Sequence, residues 1–249
     1  MIKILATSLI VSVALSASIN DVKCDKILSD TQISICYNYS VKGPNYVKYK
    51  VFPKTVDLKN IKKRPRFYRD KRIPKKFAVT SGDYIHCTDS KTKSFKFDRS
   101  HLAPDADFDF SKQALLKIYT MANIVPMTSK TNQGLWVAIE DRERAIARLY
   151  PITVITGALY EDKNNFLIKK NFEDTLKEGK TYSKKKLSKK RRQFEKYTKS
   201  LLRKKITIPT KLYKILEFKD KKECYIVDNF KSSLISKSCQ YLDKLLKKN

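Results

Sequence analysis

The segment FDRSHLAP at 97–104 sets a carboxylate, a guanidinium and one of the chain's two histidines within four consecutive residues, Asp98 to His101. Those side chains suit proton transfer and anion binding, but also an exposed polar turn, and a lone histidine does not decide between them. Further along, residues 123–149 read NIVPMTSKTNQGLWVAIEDRERAIARL. On a helix, Asn132, Trp136, Glu140 and Arg144 step by four and drift slowly round one side, so an amide, a carboxylate and a guanidinium share a face. Each has an ordinary role as well. Asn132 suits a helix start, and Glu140 with Arg144 makes a common surface pair.

The elements available to position these groups read as short strands and helices in alternation. YVKYKVFP (46–53), KFAVT (76–80), PITVITGALY (151–160), TIPTKLYKILEF (207–218) and CYIVDNF (224–230) are rich in β-branched and aromatic residues between turn formers, which predicts strands. Residues 132–149 predict a helix whose buried side is Leu135, Ala138, Ile139, Ile146 and Leu149. The expected fold class is α+β, a mostly antiparallel sheet flanked by helices. With no internal repeat and no Gly/Ser linker, residues 19–249 read as one domain carrying a Lys/Arg-rich insertion at about 171–205.

Charge narrows the choice of partner. Lys and Arg number 54 against 25 Asp and Glu, a net +29, which implies a polyanion bound with release of its condensed counterions. Nucleic acid leads, although anionic lipid or polysaccharide meets the same electrostatics. Residues 183–205 hold twelve of the basic residues and one acid, Glu195, with Leu187, Phe194, Tyr197, Leu201 and Leu202 recurring at helical spacing. A cationic helix with a thin apolar seam follows, able to set Lys184, Lys185, Lys186, Lys189, Lys190, Arg191 and Arg192 on a phosphate backbone. A solvated insertion and a helix lying on a membrane surface are the other readings.

Residues 1–18 have the layout of a secretory signal peptide, Lys3 ahead of an apolar run that ends in Ser16, Ala17 and Ser18. That run is shorter than the about 20 residues of a membrane span, so the expectation is an exported protein, periplasmic or secreted, without a stable span. In an oxidising compartment, proximity pairs Cys24 with Cys36 and Cys224 with Cys239 and leaves Cys87 over, although spacing alone does not fix connectivity. The cysteine spacing does not suit a structural zinc site.

DRSH at 98–101 followed by NIVPMTSKTNQGLWVAIEDRER at 123–144 resembles the DNA/RNA non-specific endonucleases, which carry a ββα-metal (His-Me) finger. Their pattern is DRGH, an asparagine, a proline-glutamine pair, and an Asn-Gln-Gly-x-Trp helix with a glutamate eight residues after its asparagine, the interval kept here by Asn132 and Glu140. RPRFYRDKRIP (64–74), VITGALY (154–160) and IPTKLYKIL (208–216) resemble further family segments, so the likeness spans most of 46–215. It implies a ββα-metal fold and a magnesium-dependent phosphodiesterase acting on DNA, with RNA left open as a second substrate and Mn2+ able to replace Mg2+. It makes His101 the general base, Asn132 the direct metal ligand and Glu140 a holder of the metal's waters. Arg99 and Arg144 become phosphate donors with Arg64 or Arg66 as a third, Asp98 anchors the loop of His101, and Asn123 steadies the finger.

Ser100 stands where the pattern has glycine, and Met127 where it has glutamine. If that glycine serves a backbone angle few residues adopt, serine there costs about 1 kcal/mol or more. His86, in DYIHC, has no matching partner and reads as structural. No recognition-helix or RNP-like pattern is present, so cutting is expected to ignore sequence. The competing classes are an exported DNA-binding protein without catalysis, for DNA uptake or biofilm adhesion, and a cationic membrane-acting protein.

Overall fold

The computed structural model describes residues 19, 22–87, 96–161, 166–177 and 182–248. The expected signal peptide lies outside them, as do the side chains of His86 and Cys87.

Seven strands form one antiparallel sheet in the order β1-β2-β3-β6-β7-β8-β9. They are β1 (Lys26–Ser29), β2 (Ile33–Asn38), β3 (Gly43–Val51), β6 (Ile152–Leu159), β7 (Lys211–Phe218), β8 (Lys221–Asp228) and β9 (Ser233–Ser236). A separate hairpin joins β4 (Phe97–His101) to β5 (Ile124–Thr128), with α1 (Lys112–Ile118) in the connection. From β5 the chain passes through α2 (Ser129–Thr131) and a π-helical turn, Asn132–Trp136, into α3 (Val137–Ala147).

Strand period fixes the layers. On β7, Leu212 and Leu216 face the large core shared with β3, β6 and α3, while Tyr213 and Ile215 face a smaller one under α6 (Cys239–Leu246). Lys214 shares the side of Leu212 and Leu216, so a lysine points into the main core. The Cys224–Cys239 disulfide ties α6 to β8, and Cys24–Cys36 ties the N-terminal stretch to β2. Gly157 sits where Tyr213 crosses β6. A Cβ there would lie 2.4 Å from the Asn45 carbonyl, so only glycine fits.

The predicted strand at 76–80 does not form. Phe77 and Ala78 instead turn back to donate to the Pro74 carbonyl, and Tyr37 Oη donates to the Phe77 carbonyl at 3.0 Å. The helix prediction also needs rotating. Ala138 and Leu149 are exposed, Leu149 at 68 %, and the buried side runs through Trp136, Ile139, Glu143, Ile146 and Ala147. Glu143 can be buried because Lys214 meets it from β7.

The segment around Phe67 is pinned by Asp70. Its carboxylate accepts from Arg72 N, Nε and Nη2 and from Thr120 Oγ1 at 2.7–3.0 Å, and Tyr68 pairs with Thr120. Burial alone would raise the Asp70 pKa, but the Arg72 bonds outweigh it and hold the carboxyl below the usual 3.8. A lowered folded pKa adds stability above the unfolded value, and that stability is lost as pH falls through the folded one. Asp70→Asn should therefore cost about 1–2 kcal/mol at pH 7 and less at pH 3, read by thermal melts at both. An equal loss at both pH values would contradict this.

The basic segment forms α5 (Lys184–Arg203), which follows α4 (Phe166–Lys177). Phe172 stacks on Phe194 at 4.1 Å, and Phe194 and Leu201 join a second core with Tyr84, Phe97 and Ile124. Leu202, expected in the apolar seam, is exposed.

Candidate active site

β4 and β5 pair with Asp98 opposite Met127, Ser100 opposite Val125 and His101 opposite Ile124. Alternation then sorts the DRSH residues by face. Asp98 and Ser100 turn toward Asn132. Arg99 and His101 turn toward Phe67 and Tyr119.

Asp98 is the hub of the first face. Its carboxylate accepts from Ser129 Oγ at 2.7 Å, Asn132 Nδ2 at 3.0 Å and Gln133 Nε2 at 2.9 Å. Ser100 Oγ donates to Asn132 Oδ1 at 2.6 Å, so both ends of the amide are held. Asn132 opens the π-helical turn, a local distortion that often marks functional sites. The turn is fixed from behind by the buried Asn229. It accepts from Thr128 N at 2.9 Å and donates to the Pro126 and Pro209 carbonyls, while its own carbonyl takes the Thr128 and Thr131 hydroxyls. Nothing in the sequence singled out Asn229, which falls inside the strand predicted at 224–230, whereas the strand ends at Asp228. Ser100 has no left-handed φ, so the strain expected of serine at this position is not incurred.

On the other face, the His101 ring lies between Phe67, centroids 5.2 Å apart, and Tyr119 at 4.9 Å. Its Nε2 is buried and has no hydrogen-bond partner among the described residues. Burial, then the adjacent Arg99 guanidinium, lowers the ring's pKa from 6.5 to about 3, which keeps it neutral with a lone pair available. Arg99 itself lies 5.0 Å over the Phe67 ring. Asn123, fully buried, donates to the Ala103 and Ile118 carbonyls and accepts from Ala103 N, holding the exit of β4.

Arg64 does not join them. Its Nε and Nη2 lie 2.9 Å from Asp105 and Asp109, and its Nη1 donates to the Ile61 carbonyl, so its fork is already filled. Arg66 is exposed and stands next to Phe67. Arg64 and Arg66 stand two residues apart, and the family resemblance of this segment is ambiguous by a residue or two, which left the choice between them unreadable from sequence.

The helix side is a dense charge cluster. Lys214 and Glu143, both with 0 % side-chain exposure, form an ion pair, and Tyr49 Oη donates to Glu143 Oε1 at 2.7 Å. Lys214 Nζ also sits 5.3 Å from the Trp136 ring. Burial, then the Glu143 carboxylate, pushes Asp107 well above the ordinary value, so its neutral form is favoured. Arg144 reaches Asp141 at 2.6 Å and Asp107 at 3.7 Å, and its buried Nη1 makes no hydrogen bond among the described residues. Glu140, between these groups, is raised to about 7 chiefly by burial.

Residues 14–241 match the family model for the DNA/RNA non-specific endonucleases. The chain belongs to this family. Among its relatives, the mitochondrial nuclease of Saccharomyces cerevisiae is 29 % identical over 133 residues, 52 % of this chain and 38 % of that one. Human endonuclease G is 25 % identical over 127 residues, 51 % of this chain and 40 % of its own, and a Nostoc nuclease is 25 % identical over 137, covering 53 % and 47 %. The chain thus spans less than half the length of these curated relatives. Its fold is shared by a solved chain of the EndoG/EndoGI complex, with a TM-score of 0.55, 19 % identity, and 85 % of this chain and 76 % of that one covered. The β4–β5 hairpin leading into α3 is the ββα-metal element of that fold.

Of the predicted basic contacts on α5, Lys184, Lys185, Lys186, Lys189 and Arg192 are exposed and Lys190 is half-buried. Lys186 and Lys190 lie over the Tyr182 ring at 5.3 and 4.9 Å. Arg191 is engaged elsewhere, its Nε and Nη2 bonding both Glu173 oxygens of α4 at 2.9 and 2.7 Å. Because Ile124, directly across from His101, packs in the same core as Phe194 and Leu201, α5 flanks the His101 side of the hairpin.

Proposed function

We propose that the chain is an exported endonuclease that hydrolyses phosphodiester bonds of DNA, and of RNA, without sequence preference. The observation that carries this reading is the tether of the Asn132 amide to the strand that presents His101. The family match supports it, and the two disulfides are compatible with export.

Neutral His101 takes a proton from the attacking water through its unpartnered Nε2. Arg99, on the same face, binds the phosphate oxygens as their charge grows, and a phosphate there offsets the guanidinium charge that lowers the His101 pKa. Arg66 is the second donor in place of Arg64, and Arg144 a third from α3. Asp98 and Asn123 act as supports.

The donor set suits a hard divalent ion. Asn132 offers a neutral carboxamide oxygen at the opening of its π-helical turn, held in place by Ser100 and Asp98. That fits Mg2+, or Mn2+ in its place, keeping most of its waters, with Asn132 as ligand and Glu140 accepting from those waters. Such an ion supplies Lewis-acid stabilisation of the phosphoryl and leaving oxygens.

The cationic side of α5 extends the interface with long duplexes. Its apolar side belongs to the second core, so deleting 182–204 would unseat Phe97 and Ile124 as well as remove charge. The clean variant replaces Lys184, Lys185, Lys189 and Arg192 with Gln. Binding should weaken, and the slope of log affinity against log salt should flatten by about 0.9 for each phosphate no longer neutralised, with short substrates still cleaved. An unchanged slope would exclude the helix from the interface.

One observation favours the DNA-binding reading without catalysis, namely that Ser100 already hydrogen-bonds the proposed ligand oxygen. End-labelled DNA duplex and RNA of mixed sequence, incubated with the chain and Mg2+, separate the two. The endonuclease yields a ladder cut at most positions. A mobility shift with every strand intact supports the alternative.

A further inference from the structure

The two positions at which this chain departs from the family pattern touch each other. Ser100 Oγ lies 3.6 Å from Met127 Sδ, and both residues are buried. A thioether is a weak acceptor, and the His101 carbonyl at 3.5 Å is at the limit of a hydrogen bond. The one strong partner of the hydroxyl is therefore Asn132 Oδ1, at 2.6 Å. Glycine at this position would place no atom beside that oxygen. Serine places a second hard, neutral oxygen there with no positive φ to strain the strand.

A divalent charge at Asn132 Oδ1 repels a hydroxyl hydrogen aimed at the same atom. Rotation about Cβ–Oγ turns a lone pair toward the ion instead, without moving the backbone. Neighbouring oxygens on an octahedral Mg2+ stand about 2.9 Å apart for bonds of 2.0–2.1 Å, so the observed pair needs to open by a few tenths of an ångström. We propose that Ser100 Oγ is a second protein ligand of the divalent cation, beside Asn132 Oδ1 and in place of one water. This rests on Asn132 being the cation site of the proposed endonuclease. Met127 closes the apolar side of the hydroxyl, where it offers no oxygen to compete.

The test is Mn2+ binding to the full chain, freed of metal by chelation, followed by calorimetry and by electron–nuclear double resonance to count inner-sphere waters. Ser100→Ala and Ser100→Gly should each weaken binding about tenfold and add one water to the ion. Met127→Leu, which keeps the packing, should change neither. An unchanged water count in both serine variants, or tighter binding by them, overturns the assignment. Asn132→Ala separates the two levels: loss of binding there with silent serine variants removes Ser100 alone, whereas wild-type binding by Asn132→Ala removes the cation site as well.

Discussion

His101→Ala should lower the single-turnover cleavage rate by about 10²–10⁴-fold, the usual contribution of a positioned base, while leaving DNA affinity within a factor of about two. The ring sits between Phe67 and Tyr119 and makes no hydrogen bond through Nε2 among the described residues, so its removal leaves a hole of imidazole shape rather than a broken network. Free imidazole added to His101→Ala should therefore restore part of the rate in proportion to its concentration. A merely structural ring would give a variant with a lowered melting temperature and no rescue. Phe67→Ala is expected to weaken the rate less, since it loosens both His101 and the Arg99 guanidinium above the same ring without removing either.

Lys214→Met should destabilise the fold by about 3–5 kcal/mol, because it leaves the Glu143 carboxylate buried without its counter-charge. Tyr49 would still donate to that carboxylate, but a neutral hydroxyl does not replace the lost charge. The double variant Lys214→Met/Glu143→Leu should recover most of the loss, since a buried ion pair can give way to apolar side chains at little net cost. Urea denaturation of the wild type, both single variants and the double variant gives the coupling directly. Equal losses in the single and double variants would mean that packing against Trp136, not charge, makes Lys214 necessary.

What the sequence disclosed and what it hid have physical reasons. β6, β7 and β8 were legible because their β-branched and aromatic runs are largely buried on both faces of the sheet, and β3 because its Val47, Tyr49 and Val51 alternate with exposed lysines. The hairpin was not, since FDRSH and IVPMT are short and interrupted by charge or proline, and what seats them is the packing of Phe97, Ile124, Val125 and Met127 into two cores built by distant segments. The interval from Asn132 to Glu140 was visible, while the partners that hold it came from distant strands. Lys214 and Tyr49 lie in β7 and β3, and Asn229 just past β8, where neither spacing nor composition marks them as reaching α3 or the Asn132 turn. The buried side of α3 was misplaced for the same reason, because Glu143 counts as polar until its lysine is seen. Arg64 and Arg191 looked like phosphate donors only while their carboxylate partners were unknown.

The central claim is that His101 and a cation held at Asn132 together cleave nucleic acid. Supercoiled plasmid incubated with the wild-type chain and with His101→Ala, each in Mg2+ and in EDTA, puts it to the most direct test. Open-circular and linear products from the wild type in Mg2+ alone are the predicted result. Plasmid that stays supercoiled under every condition, or nicking by His101→Ala at the wild-type rate, would contradict it.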